Sequence, residues 1–211
     1  ANNLSAALAS AADGDVIVLS EGTYVESNEI QFDAKSVTIK AAEGANVVLQ
    51  LQAPITISNG AKATLQDLKI DASQLGSHKH VIEATDATDG KALVMDGCEL
   101  YGYSVVHAAI YVAEANTLKV CEVKNCYFHD NMKSCIFFEG ALSNFLLIQS
   151  TFANIATSSS EYMSVVDVRN ANYAIINHCT FYNCQAMNTD HAAIKLECDG
   201  LIANSVIVAP E

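Results

Sequence analysis

A six-residue pattern recurs every 24 to 30 residues from Leu65 onward, and it limits the fold more than any other feature of the chain. Each copy reads apolar, any residue, turn-former, small residue, any residue, apolar. The copies begin at Leu65, Met95, Val123, Leu147, Ile176 and Ile202. Self-similarity at such a period is typical of a repeat architecture.

The length of the repeat selects among repeat folds. The fourth positions are Leu68, Cys98, Cys126, Ser150, Cys179 and Ser205, at intervals of 30, 28, 24, 29 and 26 residues. These intervals are too long for a hairpin meander and too short for a βαβ unit. They fit one coil of a parallel β-helix, in which equivalent residues of successive coils lie about 4.8 Å apart. We therefore predict an all-β fold, a single-stranded right-handed parallel β-helix of about eight coils.

The third position of the pattern predicts where each coil bends. Its residues are Asp67, Gly97, Asn125, Gln149, His178 and Asn204. Four of these six readily accept a left-handed backbone conformation. The neighbouring first, fourth and sixth positions are apolar or small, which indicates that they face the interior of the helix.

A second ladder supports the same register. Its first positions are Ile82, Ile110, Ile136, Val166 and Ile194, and two residues after each come Ala84, Val112, Phe138, Val168 and Leu196. Alternation of this kind predicts strands with one buried face. The residue between each pair is expected to point outward.

The bulk composition is consistent with one β-helix domain over residues 1–211. The chain is 51% hydrophobic, enough for a large core, and it contains no obvious linker. Residues 1–13 are expected to form an N-terminal cap, with an amphipathic helix over Leu4–Ala12 capped by Asn3 or Ser5. Residues 14–211 are expected to form the coils. The last repeat stops abruptly, so we expect further coils or another chain to cover the C-terminal end.

Charge and hydropathy exclude several classes of partner. A net charge of −13 disfavours nucleic acid and anionic membrane surfaces. The sequence has no run of 18 apolar residues, so no membrane span is expected. The first residues do not resemble a signal peptide, and we expect that such a peptide has been removed from a secreted, periplasmic or cell-surface protein.

The seven cysteines suggest packing more than chemistry. Cys98, Cys126 and Cys179 share one inward column, where a small apolar side chain fits. We therefore predict a file of buried thiols. Spacings of five residues, as from Cys121 to Cys126, do not match a zinc site, and the redox state stays open.

Two groups of motifs carry a family resemblance. The opening Gly14–Leu19 with Glu21–Tyr24, and the repeats Asn125–Phe128 and Cys179–Phe181, resemble pectate-lyase-like β-helix proteins, particularly the alginate lyase and chondroitinase B family. The chain is also similar to uncharacterised pectate-lyase-like proteins of gut Bacteroidetes. The resemblance implies a polysaccharide lyase that cleaves a uronate-containing glycan by β-elimination. These motifs are signals of fold and say little about chemistry.

The outward residues of the second ladder are the candidate binding surface. One column holds Glu83, Tyr111, Phe137, Asp167 and Lys195, the next holds Thr85, Ala113, Glu139, Arg169 and Glu197, and the column before the strands holds Lys79, His107, Lys133, Met163 and His191. Sugar rings stack on aromatic rings, and charged groups bind carboxylates and hydroxyls. Tyr111, Phe137 and His191 are the candidate substrate-binding residues.

Arg169 is the principal candidate for catalysis. It is the only arginine, and its position resembles that of the functional arginine on a strand of the lyase family. The family's lysine is expected near Glu139 and is missing there, so Lys133 and Lys195 are the candidate replacements. The alternative is structural, because Glu139 and Glu197 flank Arg169 in one column and the arginine can simply neutralise them.

The resemblance also implies calcium as a cofactor. Glu139, Asp167 and Glu197 are the candidate ligands, since carboxylate oxygens suit this cation. A charge-balanced surface is the alternative reading of the same residues. Three functions stay open: a polysaccharide lyase, a non-catalytic glycan-binding or surface-display module, and a structural part of a longer solenoid.

Overall fold

The computed structural model describes residues 4–76, 80–104, 108–131, 133–156, 164–185 and 193–208. Within these ranges the chain forms one helix, α1 (Leu4–Ser10), followed by 23 strands in three parallel sheets. The predicted all-β right-handed parallel β-helix is confirmed. No helix in the described part of the chain is long and apolar enough to cross a membrane.

The strands are numbered along the chain, and successive strands belong to sheets A, B and C in turn. Sheet A contains β1 (Val16–Leu19), β4 (Ser36–Ala41), β7 (Lys62–Gln66), β10 (Ala92–Asp96), β13 (Thr117–Lys124), β16 (Ala141–Ile148), β19 (Ala171–Asn177) and β22 (Gly200–Ala203). Sheet B contains β2 (Gly22–Glu26), β5 (Val47–Leu51), β8 (Lys69–Asp71), β11 (Glu99–Tyr101), β14 (Tyr127–Asn131), β17 (Thr151–Ala156), β20 (Thr180–Gln185) and β23 (Val206–Val208). Sheet C contains β3 (Ile30–Asp33), β6 (Ile55–Ser58), β9 (Ile82–Ala84), β12 (Ala108–Val112), β15 (Ser134–Phe138), β18 (Val166–Val168) and β21 (Ile194–Leu196).

One strand from each sheet makes a coil, so β1 to β21 form seven complete coils and β22 and β23 belong to an eighth. Every strand pairs in parallel with the strand one coil away. Ile110, for example, is in register with Ile82 on one side and with Ile136 on the other. The second ladder read from the sequence is therefore sheet C.

The bend between sheets A and B uses the left-handed backbone conformation at every repeat. All six third-position residues have positive φ, from 49° at Gln149 and Asn204 to 68° at Gly97. Gln149 and His178 adopt it although their side chains do not favour it. The register of the stacked strands on both sides imposes the bend, so position in the coil outweighs local preference.

The core consists of columns of like side chains. In sheet B, Phe128, Phe152 and Phe181 stack nearly parallel, with ring centroids 4.9 and 4.7 Å apart. The predicted thiol file is confirmed: Cys98, Cys126 and Cys179 are buried, and the cysteines of the described residues are free thiols. Ser150 interrupts the file, and its hydroxyl accepts from the amide of Cys126 and donates to the carbonyl of Ile148.

Helix α1 covers the first coil, as predicted, and buries Leu4 and Leu8 against it. It ends two residues before the predicted Ala12. The carboxylate of Glu26 on β2, itself buried, accepts hydrogen bonds from the amide of Leu4 (2.9 Å) and the hydroxyl of Ser5 (2.8 Å). A distant residue thus caps the helix, because its first amides lack partners within the helix.

The ammonium of a buried lysine stabilises the loop between β9 and β10 by hydrogen bonds. Lys91 is fully buried, and its ammonium donates to Asp86 Oδ1 (2.7 Å), to the Asp86 carbonyl (2.9 Å) and to the Thr88 carbonyl. The carboxylate of Asp86 also accepts the amide hydrogen of Asn59 from the previous coil. These hydrogen bonds lower the pKa of Asp86 despite its partial burial, which opposes them.

We expect Phe152→Ala to lower the free energy of unfolding by about 3–5 kcal/mol, because Phe152 is buried between two stacked rings and its loss leaves a cavity. Urea unfolding followed by circular dichroism measures the change. Tyr173→Ala on the outer face of sheet A is the control, since Tyr173 is exposed. Equal losses in the two variants would contradict the described core.

Candidate functional site

Sheet C brings the predicted surface residues into one row. Its strands place the side chains between the buried ladder positions in direct register. The row is Glu83, Tyr111, Phe137, Asp167 and Lys195. Glu139, Arg169 and Glu197 follow the ends of β15, β18 and β21 and form the neighbouring column, since each amide donates to a carbonyl at the end of the previous coil's strand.

Arg169 lies at the centre of a charge cluster. Its Nε and Nη2 donate to the two carboxylate oxygens of Asp167, at 3.1 and 3.2 Å. Its Nη1 donates to Glu139 Oε1 at 3.3 Å, and its Cζ lies 4.6 Å from the ring centroid of Phe137. Burial opposes the charge on Arg169, but the hydrogen bonds and charge of Asp167, with the charges of Glu139 and Glu197, raise its pKa.

Asp167 and Phe137 are buried at positions where the alternation predicts outward side chains. Asp167 is 0% exposed and Phe137 is 4% exposed. The guanidinium of Arg169 covers both, and this bidentate pairing with a stacked ring is a geometry that lysine cannot reproduce. The two residues therefore position Arg169 more than they present surface of their own.

Tyr111 joins the cluster on its aromatic side. Its hydroxyl donates to Glu139 Oε2 (2.9 Å), and its ring packs on Phe137 with centroids 5.5 Å apart. Burial, followed by the hydrogen bond to Glu139, raises the pKa of Tyr111. Tyr111 is thus a hydrogen-bond donor at neutral pH and unsuited to act as a base.

His80 is a site residue that the sequence reasoning missed. Its ring stacks on Tyr111 at 3.9 Å with an angle of 13°, and its Nε2 lies 3.9 Å from Glu83 Oε2. His80 precedes β9, and the corresponding residue of the next coil is the small Ala108. A bulky polar residue in a column that is otherwise small was the signal available in the sequence.

The candidate lysines have different surroundings. Lys195 is in register with Asp167, and its Nζ forms an ion pair with Glu197 Oε1 at 2.6 Å. This pair lowers the pKa of Glu197. Lys133 is half-buried just before β15, where its carbonyl accepts from the hydroxyl of Tyr103. His191, the third candidate for substrate binding, lies outside the described residues, as do Lys79, His107 and Met163.

The carboxylates of the three candidate calcium ligands are already bound by other side chains of the protein. Asp167 uses both oxygens for Arg169, Glu139 uses one for Arg169 and one for Tyr111, and Glu197 pairs with Lys195. Within the described ranges, no group of three or more His, Cys, Asp or Glu is placed to hold a metal ion. In this arrangement the carboxylates do not fit a calcium ion.

Comparison with known proteins gives a family and a fold. The family described as "Domain of unknown function (DUF4957)" matches residues 22–155, more than half of the chain. No curated protein matches this chain.

Two solved structures share the fold. The PL6 family alginate lyase AlyGC superposes with a TM-score of 0.54 at 15% sequence identity, covering 97% of this chain and 37% of the lyase. An arginine-to-alanine variant of the same lyase gives a TM-score of 0.58 at 15% identity, with 99% and 38% covered. The chain thus spans just over a third of the lyase's length and has a polysaccharide-lyase-like β-helix fold.

We expect Asp167→Asn to lower the free energy of unfolding by about 1–3 kcal/mol, because Arg169 then loses a charged bidentate partner that is buried. Urea unfolding at neutral pH measures the loss. Glu197→Gln is the matched control, since Glu197 follows the next strand of sheet C and its side chain is half exposed. A loss of the same size in the control, or none in Asp167→Asn, would contradict the central role of this pair.

Proposed function

Since this chain belongs to the family described as Domain of unknown function (DUF4957), we propose that it is a carbohydrate-active β-helix protein that binds a polysaccharide along the outer face of sheet C. The observation that carries the proposal is the row from Glu83 to Lys195, whose side chains are in register on successive coils beside the charge cluster of Arg169. The fold shared with the alginate lyase supports the choice of ligand class.

The dimensions of the row suit a chain-like ligand. Four strand spacings separate Glu83 on β9 from Lys195 on β21, which corresponds to about 19 Å along the helix axis. A linear ligand lying along the axis meets Glu83, Tyr111 and Lys195, with Arg169 over the buried Phe137 and Asp167 between them. A single small molecule would engage only part of this row.

The side chains of the row have roles suited to an acidic sugar. The guanidinium of Arg169 is held in place by Phe137 and Asp167, so little side-chain entropy is lost when it binds a carboxylate. Lys195 lies in the next coil, with its ammonium paired to Glu197. Tyr111 is half-buried against His80 and Phe137 and offers a hydroxyl oxygen oriented by Glu139.

Binding is supported better than cleavage by the geometry of the described residues. β-Elimination requires a base close to the group that neutralises the uronate carboxylate. The hydroxyl proton of Tyr111 is donated to Glu139, and the ammonium of Lys195 is engaged by Glu197. Arg169 itself is held as a cation by two carboxylates.

Cleavage of a uronate-containing glycan is the second candidate. It is favoured by the position of Arg169 on a strand of a fold shared with an alginate lyase, with Lys133 and Lys195 as the nearest candidate bases in the adjoining coils. Either function places the protein where polysaccharide is found, in the periplasm, at the cell surface or outside the cell. The third alternative, a structural part of a longer solenoid, predicts neither binding nor cleavage.

We expect saturable binding to at least one uronate polymer, tested with alginate, pectate and chondroitin sulfate by isothermal titration calorimetry. Arg169→Ala should weaken binding about tenfold or more, because a charged hydrogen bond to the ligand is lost. Lys124→Ala on sheet A is the control, since Lys124 is also paired with a carboxylate, that of Glu122, but lies on another face. An unfolding measurement on each variant separates lost binding from lost folding, and unchanged binding in folded Arg169→Ala would refute the proposal.

The same polymers distinguish binding from cleavage. β-Elimination leaves an unsaturated product that absorbs in the ultraviolet, so absorbance is followed over hours at several pH values. We expect binding without a rise in absorbance. A rise that depends on Arg169 and on Lys133 or Lys195 would instead establish the lyase.

A further inference from the structure

A second surface lies on the outer face of sheet B, away from the row on sheet C. Strands β14 and β20 each present an exposed tyrosine there, Tyr127 at 40% and Tyr182 at 55% exposure. The strand between them, β17, has the half-buried Thr151 in register with Tyr127 and the buried Ala153 in register with Tyr182. The two tyrosines stand on opposite sides of this strip of small side chains, which we call the trough, about 10 Å apart along the helix axis and two residues apart along the strand direction.

Stacking on His129 holds the ring of Tyr127, on the first side of the trough, in a fixed orientation. Tyr127 stacks on His129 with centroids 4.2 Å apart and an angle of 21°, and Tyr101 stacks on the same histidine at 5.2 Å. His129 is fixed in turn, with Nδ1 2.8 Å from Asp130 Oδ2 and Nε2 3.0 Å from Glu99 Oε1. A ring held in this way loses little freedom when a ligand stacks on it, which favours binding.

A ladder of polar side chains runs along one edge of the trough. Asn154 donates to Asp130 Oδ1 at 3.0 Å, and Asn183 donates to Asn154 Oδ1 at 2.9 Å. Asp130, Asn154 and Asn183 all have positive φ and are exposed, so their side chains are set at the rim by the backbone. Amide and carboxylate groups in a row offer donors and acceptors to ligand hydroxyls.

The only arginine of the chain, Arg169, lies on sheet C and not beside the trough. Glu99 and Asp130 lie on the face of the trough and flank His129, and Lys69 is paired with Glu99. Carboxylates accept hydrogen bonds from hydroxyls but repel another carboxylate. Exposed ring faces, small side chains between them and acceptors at the rim suit an uncharged sugar.

We propose that the trough between Tyr127 and Tyr182 binds a neutral pyranose polysaccharide, whose rings stack on the two tyrosines and whose hydroxyls bond to Asp130, Asn154 and Asn183. The surface is separate from sheet C. It would allow the protein to hold a neutral glycan while the sheet C row contacts an acidic one. A protein ligand or an acidic glycan in the trough are the alternatives that the test separates.

The test is affinity electrophoresis in gels containing mixed-linkage β-glucan, xylan, galactomannan or alginate. We expect at least one neutral polysaccharide to retard the protein, with apparent affinity reduced about tenfold or more in the variant Tyr127→Ala with Tyr182→Ala, because two stacking surfaces are lost. Thr151→Gln, which places a longer side chain on the strand between the two tyrosines and keeps both, should reduce retardation as well.

The controls separate this proposal from the function proposed for sheet C. Tyr173→Ala removes an exposed tyrosine from sheet A and should leave retardation by the neutral polysaccharide unchanged, as should Arg169→Ala. The proposal is overturned if no neutral polysaccharide retards the protein, if alginate alone does so, or if the trough variants are retarded as strongly as the parent. Loss of binding in Arg169→Ala alone would bear on sheet C and not on the trough.

Discussion

Parallel hydrogen bonding between successive coils, in unbroken register, is the constraint on which the rest of this structure depends. It places like side chains directly over one another, as in the stack of Phe128, Phe152 and Phe181. The same register forces six unlike residues into one left-handed bend and lines up Cys98, Cys126 and Cys179 inside. The outer surfaces follow from it, since residues about 28 residues apart become neighbours.

This constraint explains why charges on the outside must balance between coils. Arg169 pairs with Glu139 one coil earlier and with Asp167 on its own coil, and Lys195 pairs with Glu197. Such pairing gives a stable, oriented guanidinium beside an aromatic ring, which is a good contact for a carboxylate group and a poor starting point for a base. On sheet B, His129 lies between the carboxylates of Glu99 and Asp130. Tyr127 and Tyr182 remain exposed on that face.

Most of the fold was predictable from the sequence, because each column repeats a residue type at a fixed interval. The strands of sheet C and all six bend positions lie where the pattern places them. Much less of the site was predictable. Asp167 and Phe137 occupy outward positions yet are buried, because Arg169 folds back over them, and alternation alone cannot show how a long side chain turns. His80 lies just before β9 and gains its role from Tyr111 on the next coil, whereas Lys91 gains its role from Asp86 and Thr88 in a loop without periodicity.

The attachment of α1 to the first coil affects how one copy of the protein associates with another. A parallel sheet that ends in open backbone groups is a template for another strand, and stacked coils would extend it without limit. Because Glu26 holds the start of the helix at β2, Leu4 and Leu8 cover the apolar interior on the side of β2 and β3. Loss of that one carboxylate would therefore expose this interior to other molecules before it harmed any ligand contact.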